Sequence, residues 1–528
     1  MPAPRALALW PRTAIVAAFT VLAAVLFASA MVSFINYDEE QYIAGAVFAR
    51  TLSPYGDFVS LQPPVFTWIN AALFRLVDGW YVLAARVLVW LLSVASCALL
   101  YSLVRSLVPD RLASFVLVLA FVTSPFVRNA LVLARNDIMP MFFLLSGLRL
   151  YFARDGNVAT GAARSMAGGV LLSLAAATKY LYVFAAPIAL VALIVADRER
   201  PGPGGALASA RVRAFFAGAA LGALPLVMAL VVHGERFVFE TLQFHEGAVA
   251  AWYAAQGQAD MLSLPGELNA FLARTSRFGN ATILLVAVAA VAVLGTRAAK
   301  PLAMRIGDRA TLAMLHASIL LGLYVGPHPM YYAPVTVLAI LVAARLYAAA
   351  RASVASRSLA AFLVACLVFA APEFLRFGAH VRTSLDPSRW VGVQAHRSAL
   401  AIAAALRQRG IDGHVATLFP SVVLDANRVR PEFAAGPFFF RSADRYPRER
   451  VVALRSVGPA TLDALFAHDT PAAILAGFGP FDLFNGMDAA LLDYARRAGY
   501  ERMSDQWTVG GYTNGQLWIR RAAAAGVR

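Results

Sequence analysis

Four short runs hold the residue types that could do chemistry. The first is Tyr37-Asp38-Glu39-Glu40-Gln41-Tyr42, directly after an apolar run at Thr13–Phe34. Three carboxylates at a membrane boundary cost free energy unless they are solvated, paired or used. If a helix starts here, Asp38, Gln41 and Tyr42 share one face, because neighbours three and four apart align. The same acids would also serve as a helix cap and favour its positive N-terminus. On the residues alone the two readings stand side by side.

The second run extends from Arg128-Asn129 to Arg135-Asn136-Asp137. Taken alone it reads as an Asp137 cap before Ile138-Met139-Pro140, with Arg128 and Arg135 snorkelling. The third is Lys179. Only two of the 46 basic residues are lysines, Lys179 and Lys300, and Lys179 ends the apolar helix pattern Ala175-Ala176-Ala177-Thr178. An ionisable group there is a functional hypothesis by default, and its natural partner is an anion such as phosphate. The fourth is Gly326-Pro327-His328-Pro329-Met330-Tyr331-Tyr332, where an aromatic belt accounts for the tyrosines. His328 could serve as a base or a phosphate donor, although a lone histidine is more often structural. All four runs map to one side of a membrane, so acids, lysine, arginines and a His/Tyr pair could line one outward cavity.

The elements that must position them follow from composition. The chain has 528 residues, 60% hydrophobic and only 14% charged, with a mean hydropathy of +0.65. Soluble domains carry about 25% charge, so a water-soluble globule is excluded. Runs such as 13–34 and 82–103 reach the roughly 20 apolar residues that cross a bilayer. The net charge of +16 does not require nucleic acid. Its arginines gather on alternate loops, the pattern of a positive-inside bias. Cys97 and Cys366 both sit in apolar runs, so no disulfide or Cys-based metal site is implied.

Hydropathy and the arginine groups predict a polytopic α-helical membrane protein of about eleven spans with the N-terminus inside. The spans are near 13–35, 81–104, 111–127, 138–153, 165–181, 182–197, 212–233, 279–296, 310–326, 331–349 and 358–377. The long first outer loop, 36–80, holds two helical patterns broken at Ser53-Pro54-Tyr55-Gly56 and at Gln62-Pro63-Pro64; Val65–Val77 suits a helix lying in the interface. The loop 234–277 is similar. The division expected is a transmembrane domain over 1–378 and a small extracytoplasmic α/β domain over 379–528. In the latter, helices at 396–409, 461–467 and 488–498 alternate with strands at 414–419, 472–476, 500–504 and 517–520. It has no Gly-rich phosphate loop or Cys/His cluster.

Taken in order, these features resemble the C-type, membrane-integral glycosyltransferases that use polyprenyl-phosphate sugars. The likeness is to the branch of protein O-mannosyltransferases, the lipid A aminoarabinose transferase and the polyprenyl-phosphate galacturonic acid transferases. It covers roughly residues 10–350. It rests on Asp38-Glu39, then Pro54-Tyr55-Gly56-Asp57-Phe58, Pro63-Pro64, Ala85-Arg86, Ser124-Pro125, Asn136-Asp137, Thr178-Lys179 and His328 to Pro334. The family often has Lys or His before the paired prolines, where this chain has Gln62.

The resemblance implies an inverting transfer to an acceptor hydroxyl on a glycan, lipid or protein, at the outer face of the inner (cytoplasmic) membrane. It implies Asp38 as general base with Glu39, and a donor phosphate held by Lys179, Arg128 and Arg135 with His328 and Tyr331. Asp137, Tyr42 and Gln62 would orient acceptor or sugar. No cofactor is implied; a divalent metal near Asp38-Glu39 has no diagnostic spacing behind it. Two rivals come from other classes. A lipid-glycan transporter or flippase would show internal repeats and midplane charges, and neither is evident. An assembly factor acting through the C-terminal domain would have little use for Lys179.

Overall fold

The computed structural model describes residues 11–152, 161–199, 209–255, 257–277, 279–280, 305–350, 356–478 and 488–521. The apolar runs become helices α1 (Arg12–Val32), α4 (Tyr81–Leu107), α5 (Arg111–Val122), α7 (Ile138–Tyr151), α8 (Ala162–Thr178), α9 (Ala185–Arg198) and α10 (Ala210–Val238). Between them lie α2 (Tyr37–Phe48), α3 (Pro64–Leu76) and the short α6 (Arg128–Val132). After α11 (Phe244–Ala255) and α12 (Leu264–Thr275) come α13 (Ile306–Val325), α14 (Ala333–Ala350) and α15 (Ser356–Ser384). Among the described residues, seven helical segments are long and apolar enough to cross a membrane, while α5, α7 and α8 are apolar but shorter. Each expected span falls on one of these helices except 279–296, of which all but residues 279–280 lie outside the described residues. The two helical patterns of the first outer loop are α2 and α3.

Local chemistry explains the boundaries that matter for the site. Asn36 opens α2 as a capping box: its side chain accepts from the Asp38 N–H, and Glu39 accepts from the Asn36 N–H. Asp110 caps α5 by accepting from Ala113 at 3.1 Å. Helices α8 and α10 cross at glycines. A Cβ on Gly169, Gly218 or Gly222 would strike the backbone of the other helix, so small residues permit the close approach that fixes α8. The opposite face of α10 is left to lipid, with Phe216, Val227, Met228 and Val231 exposed.

The C-terminal part begins on α16 (Val391–Gln408) and continues through α17 (Gly436–Ser442), α18 (Arg448–Ala453), α19 (Leu462–His468) and α20 (Ala489–Arg497). They accompany a four-stranded sheet of β1 (Val415–Ala416), β2 (Ala473–Ala476), β3 (Glu501–Val509) and β4 (Tyr512–Ile519), in the order β1-β2-β4-β3. The β1–β2 pair is parallel; β4 runs antiparallel to both β2 and β3. The predicted helices and strands appear in the predicted order, but β1 is shorter, β3 runs on to Val509 and β4 begins at Tyr512, and α17 and α18 have no counterpart in the prediction. The 378/379 division falls inside α15, which runs unbroken through it.

Candidate active site

The first turn of α2 places three successive acids on three sides of the helix, and each meets a different part of the protein. Glu39 is sealed. Its carboxylate takes two hydrogen bonds of 2.6 Å from the Arg86 guanidinium and one of 2.6 Å from the Ala134 N–H. Arg86, buried within α4, also donates to the carbonyls of Ala30, Val132 and Phe34. A planar fork with this many filled donors holds α1, α2 and α4 together. Glu39, expected beside Asp38 in the chemistry, therefore has its oxygens committed to helix packing.

Asp38 faces the turn between α6 and α7. Its carboxylate lies 2.9 Å from Arg135 Nη1, and Arg135 Nε is 3.0 Å from Asp137. Asp137 in turn pairs with Lys179. The four charges alternate in sign along one line, so the group is neutral as a whole and each desolvated charge has an opposite neighbour. Lys179 is the C-cap of α8 in extended backbone (φ −155°), which turns its ammonium inward rather than along the lipid-facing surface; the residue is only 8% exposed. Burial would push the Asp137 carboxyl up, but Lys179 and Arg135 hold it below its usual value. Burial opposes the charge on Arg135 too, and Asp38 and Asp137 more than offset that.

Gln62 enters through Asn136, whose amide donates to Gln62 Oε1 at 2.7 Å. The Gln62 amide nitrogen lies 3.2 Å from His245 Nε2. His328 lies within electrostatic reach of Arg135, Asp137 and Lys179. It keeps part of its surface open although protein surrounds it, and its Nδ1 has no hydrogen-bond partner among the described residues. Burial first, then Arg135, Arg274 and Lys179, push the imidazole down to about 3. At neutral pH His328 is uncharged, so it can offer a phosphate a hydrogen bond but no positive charge. The Tyr331 ring sits 5.8 Å from it, within reach of Asp38 and Arg135. Tyr42 is buried against Phe66, ring to ring at 5.4 Å, within reach of Asp38, Arg135 and Asp137. Arg128 is not paired within the group: it pairs with Glu373 at 3.3 Å, with its side chain 41% exposed.

Three further groups border the site. His245, on α11, lies within reach of Lys179 and Asp38. Arg274, on α12, faces His328. Arg441, on α17, reaches Tyr37 and Asp38, with its guanidinium over the Phe438 ring at 5.2 Å. A charge in the middle of an apolar span is a usable signal for Arg86. Nothing local marks His245 or Arg441. Among the described residues no group of three His, Cys, Asp or Glu could hold a metal ion. A cation at Asp38-Glu39 would have to displace Arg135 from one acid and Arg86 from the other, and the two carboxylates face different sides. These residues do not fit it.

Residues 61–327 match Glycosyltransferase family 87. The fold is similar to that of ArnT from Cupriavidus metallidurans bound to undecaprenyl phosphate, with TM-score 0.60 and 14% identity over 98% of this chain and 100% of that one. The apo state of the same protein gives TM-score 0.54 and 14% identity, over 96% and 98% of the two chains. At that identity the likeness is one of fold. No curated protein sequence matches. The family match begins after Asp38 and stops short of His328, so it takes in Gln62, Arg135, Asp137 and Lys179.

Proposed function

Because this chain belongs to glycosyltransferase family 87, we propose that it moves a sugar from a polyprenyl-phosphate donor to an acceptor hydroxyl at the outer face of the cytoplasmic membrane, with inversion. The N-terminus then lies inside and the region after about 379 outside. The observation that carries this reading is the line Asp38–Arg135–Asp137–Lys179, which puts a carboxylate and two cations within a few ångströms of one another. The solved relative whose fold this chain shares was captured with undecaprenyl phosphate, a ligand of the chemistry two such cations would grip.

In the proposed step the acceptor oxygen attacks the anomeric carbon and gives its proton to Asp38. The bond from that carbon to the phosphate oxygen breaks, and the lipid phosphate departs with the electron pair. Its charge grows from one to two negative as it leaves, and Lys179 and Arg135 stabilise that growth more than they stabilise the bound donor. Asp137 holds both cations in place. His328 and Tyr331 supply neutral hydrogen bonds beside them, and Gln62, fixed by Asn136, orients the sugar. No metal is routed through the step.

The test is transfer from a radiolabelled polyprenyl-phosphate sugar by the purified protein in detergent, across a panel of acceptors. Turnover is expected without a sealed membrane, because transport needs two compartments and transfer does not. Absence of labelled product with every donor and acceptor, from folded protein, would remove the reading.

A further inference from the structure

The third acid of the α2 turn points away from both charged sites. Glu40 is fully buried, and the C-terminal part holds it. Ser421 donates its backbone N–H to one carboxylate oxygen at 2.8 Å and its hydroxyl to the other at 2.7 Å, and the Tyr512 side chain lies beside it. Gly436, at the start of α17, lies so close that a Cβ there would sit 3.3 Å from the Glu40 Cβ. Its φ of +55° lies in the left-handed region that favours glycine.

A second contact of independent origin clamps the entrance to the same helix. The β3–β4 hairpin turns at Gly510-Gly511, both with positive φ, and its tip presses on Phe34 and Ile35. A Cβ on either glycine would lie 2.7 Å from those side chains. The Ile35 N–H donates to the Gly510 carbonyl at 2.7 Å, and Gln394 of α16 accepts from the Gly510 N–H at 2.9 Å. Asp38 therefore sits between two anchors, at residues 34–35 and 40, both supplied by the C-terminal part.

We propose that Glu40 is a positioning residue, and that the Ser421 contact and the Gly510-Gly511 tip set where Asp38 stands relative to Arg135. The region after 379 is then a working part of the catalytic unit and not an appended module. This rests on the glycosyltransferase reading for its kinetic consequence, though not for its structural one. Glu40 touches no reacting atom; it acts by holding the turn that carries Asp38.

Two measurements on the full-length protein decide it. Steady-state transfer is compared for wild type, Glu40→Ala, Glu40→Gln and Ser421→Ala, with hydrogen exchange of the α2 amides followed in the same samples. Glu40→Ala is expected to lower kcat by about 10- to 100-fold, the span of a pair of buried hydrogen bonds, with donor KM little changed. Ser421→Ala should fall between it and wild type. Glu40→Gln, which can still accept from Ser421, should recover most of the rate. The α2 amides should exchange faster in Glu40→Ala and Ser421→Ala. Wild-type kcat in Glu40→Ala, a loss confined to donor KM, or unchanged α2 exchange would each overturn the proposal. If Glu40→Ala does not fold, Ser421→Ala decides by the same criteria. A wild-type protein that folds but transfers no sugar would sink the glycosyltransferase reading, while α2 exchange would still judge the positioning role.

Discussion

Arg86 and Arg135 each meet an acid from the same turn of α2, Glu39 and Asp38, yet their surroundings differ. Around Arg86 every partner is internal: a bidentate acid and three backbone carbonyls from three elements, with the side chain 1% exposed. Around Arg135 the partners are two acids and Met330, and the neighbours Tyr37, His328 and Tyr331 keep surface open. Two buried ion pairs one residue apart thus have different duties. A pair whose donors are all spent on the fold is a staple. A pair that shares its cation with a second acid, and borders accessible polar groups, can be rearranged by a ligand.

The largest expected effect breaks the open pair. Asp38→Asn should lower transfer by about 10²- to 10⁴-fold, the range for general-base catalysis, in protein that still folds; near-normal turnover would make Asp38 another staple. Next comes the sealed pair. Arg86→Ala leaves Glu39 charged and unpaired, which costs about 3–5 kcal/mol, and should show as lost folded yield, while the double change with Glu39→Gln recovers part of it. A well-folded Arg86→Ala with normal melting would erase the contrast. Smaller is Lys179→Ala, expected to weaken donor binding by about 1.5–3 kcal/mol in a lipid-phosphate titration. Arg128→Ala, paired elsewhere, should leave that titration near wild type, and equal losses in both would refute the placement of the two cations.

The smallest effect is a pH slope. Burial foremost pushes the Glu40 carboxyl up to about 7, with the Ser421 donors pulling it back. The folded protein therefore holds a proton that the unfolded chain releases nearer the ordinary carboxylate value. The resulting stability is fully present below about pH 4.5 and is lost as pH rises through 7. Glu40→Gln lacks this slope, so the melting difference between wild type and Glu40→Gln should widen in favour of the variant from pH 5 to 8. A constant difference would mean that Glu40 is not buried as described.

Much of this was legible in the residues and some was not. Hydropathy marks the helices because span length and composition alone decide them. The lone Lys179 stands out because a charge at an apolar helix end has few bland uses. Asp38, Glu39 and Glu40 look alike in sequence, and their duties diverge only because consecutive helical residues point about 100° apart, to partners as remote as Ser421. Arg128 and Arg135 likewise look equivalent. Arg128, on α6, goes to Glu373 and Arg135, in the turn after it, goes to Asp38, which no local pattern encodes. The pairing of Gln62 with Asn136 and His245 is of the same kind, since two loops and α11 must meet before it exists.

The hairpin tip at Gly510-Gly511 has a consequence for how the protein comes to life. The turn with Asp38 is made long before one of its two anchors, which follows more than 470 residues later in the chain. Until the ribosome has released that stretch and it has doubled back to Ile35, the early turn is held by Arg86 but lacks this second anchor. A newborn chain cut off before residue 510 would carry every charged group in the Asp38–Lys179 line and still be unfinished.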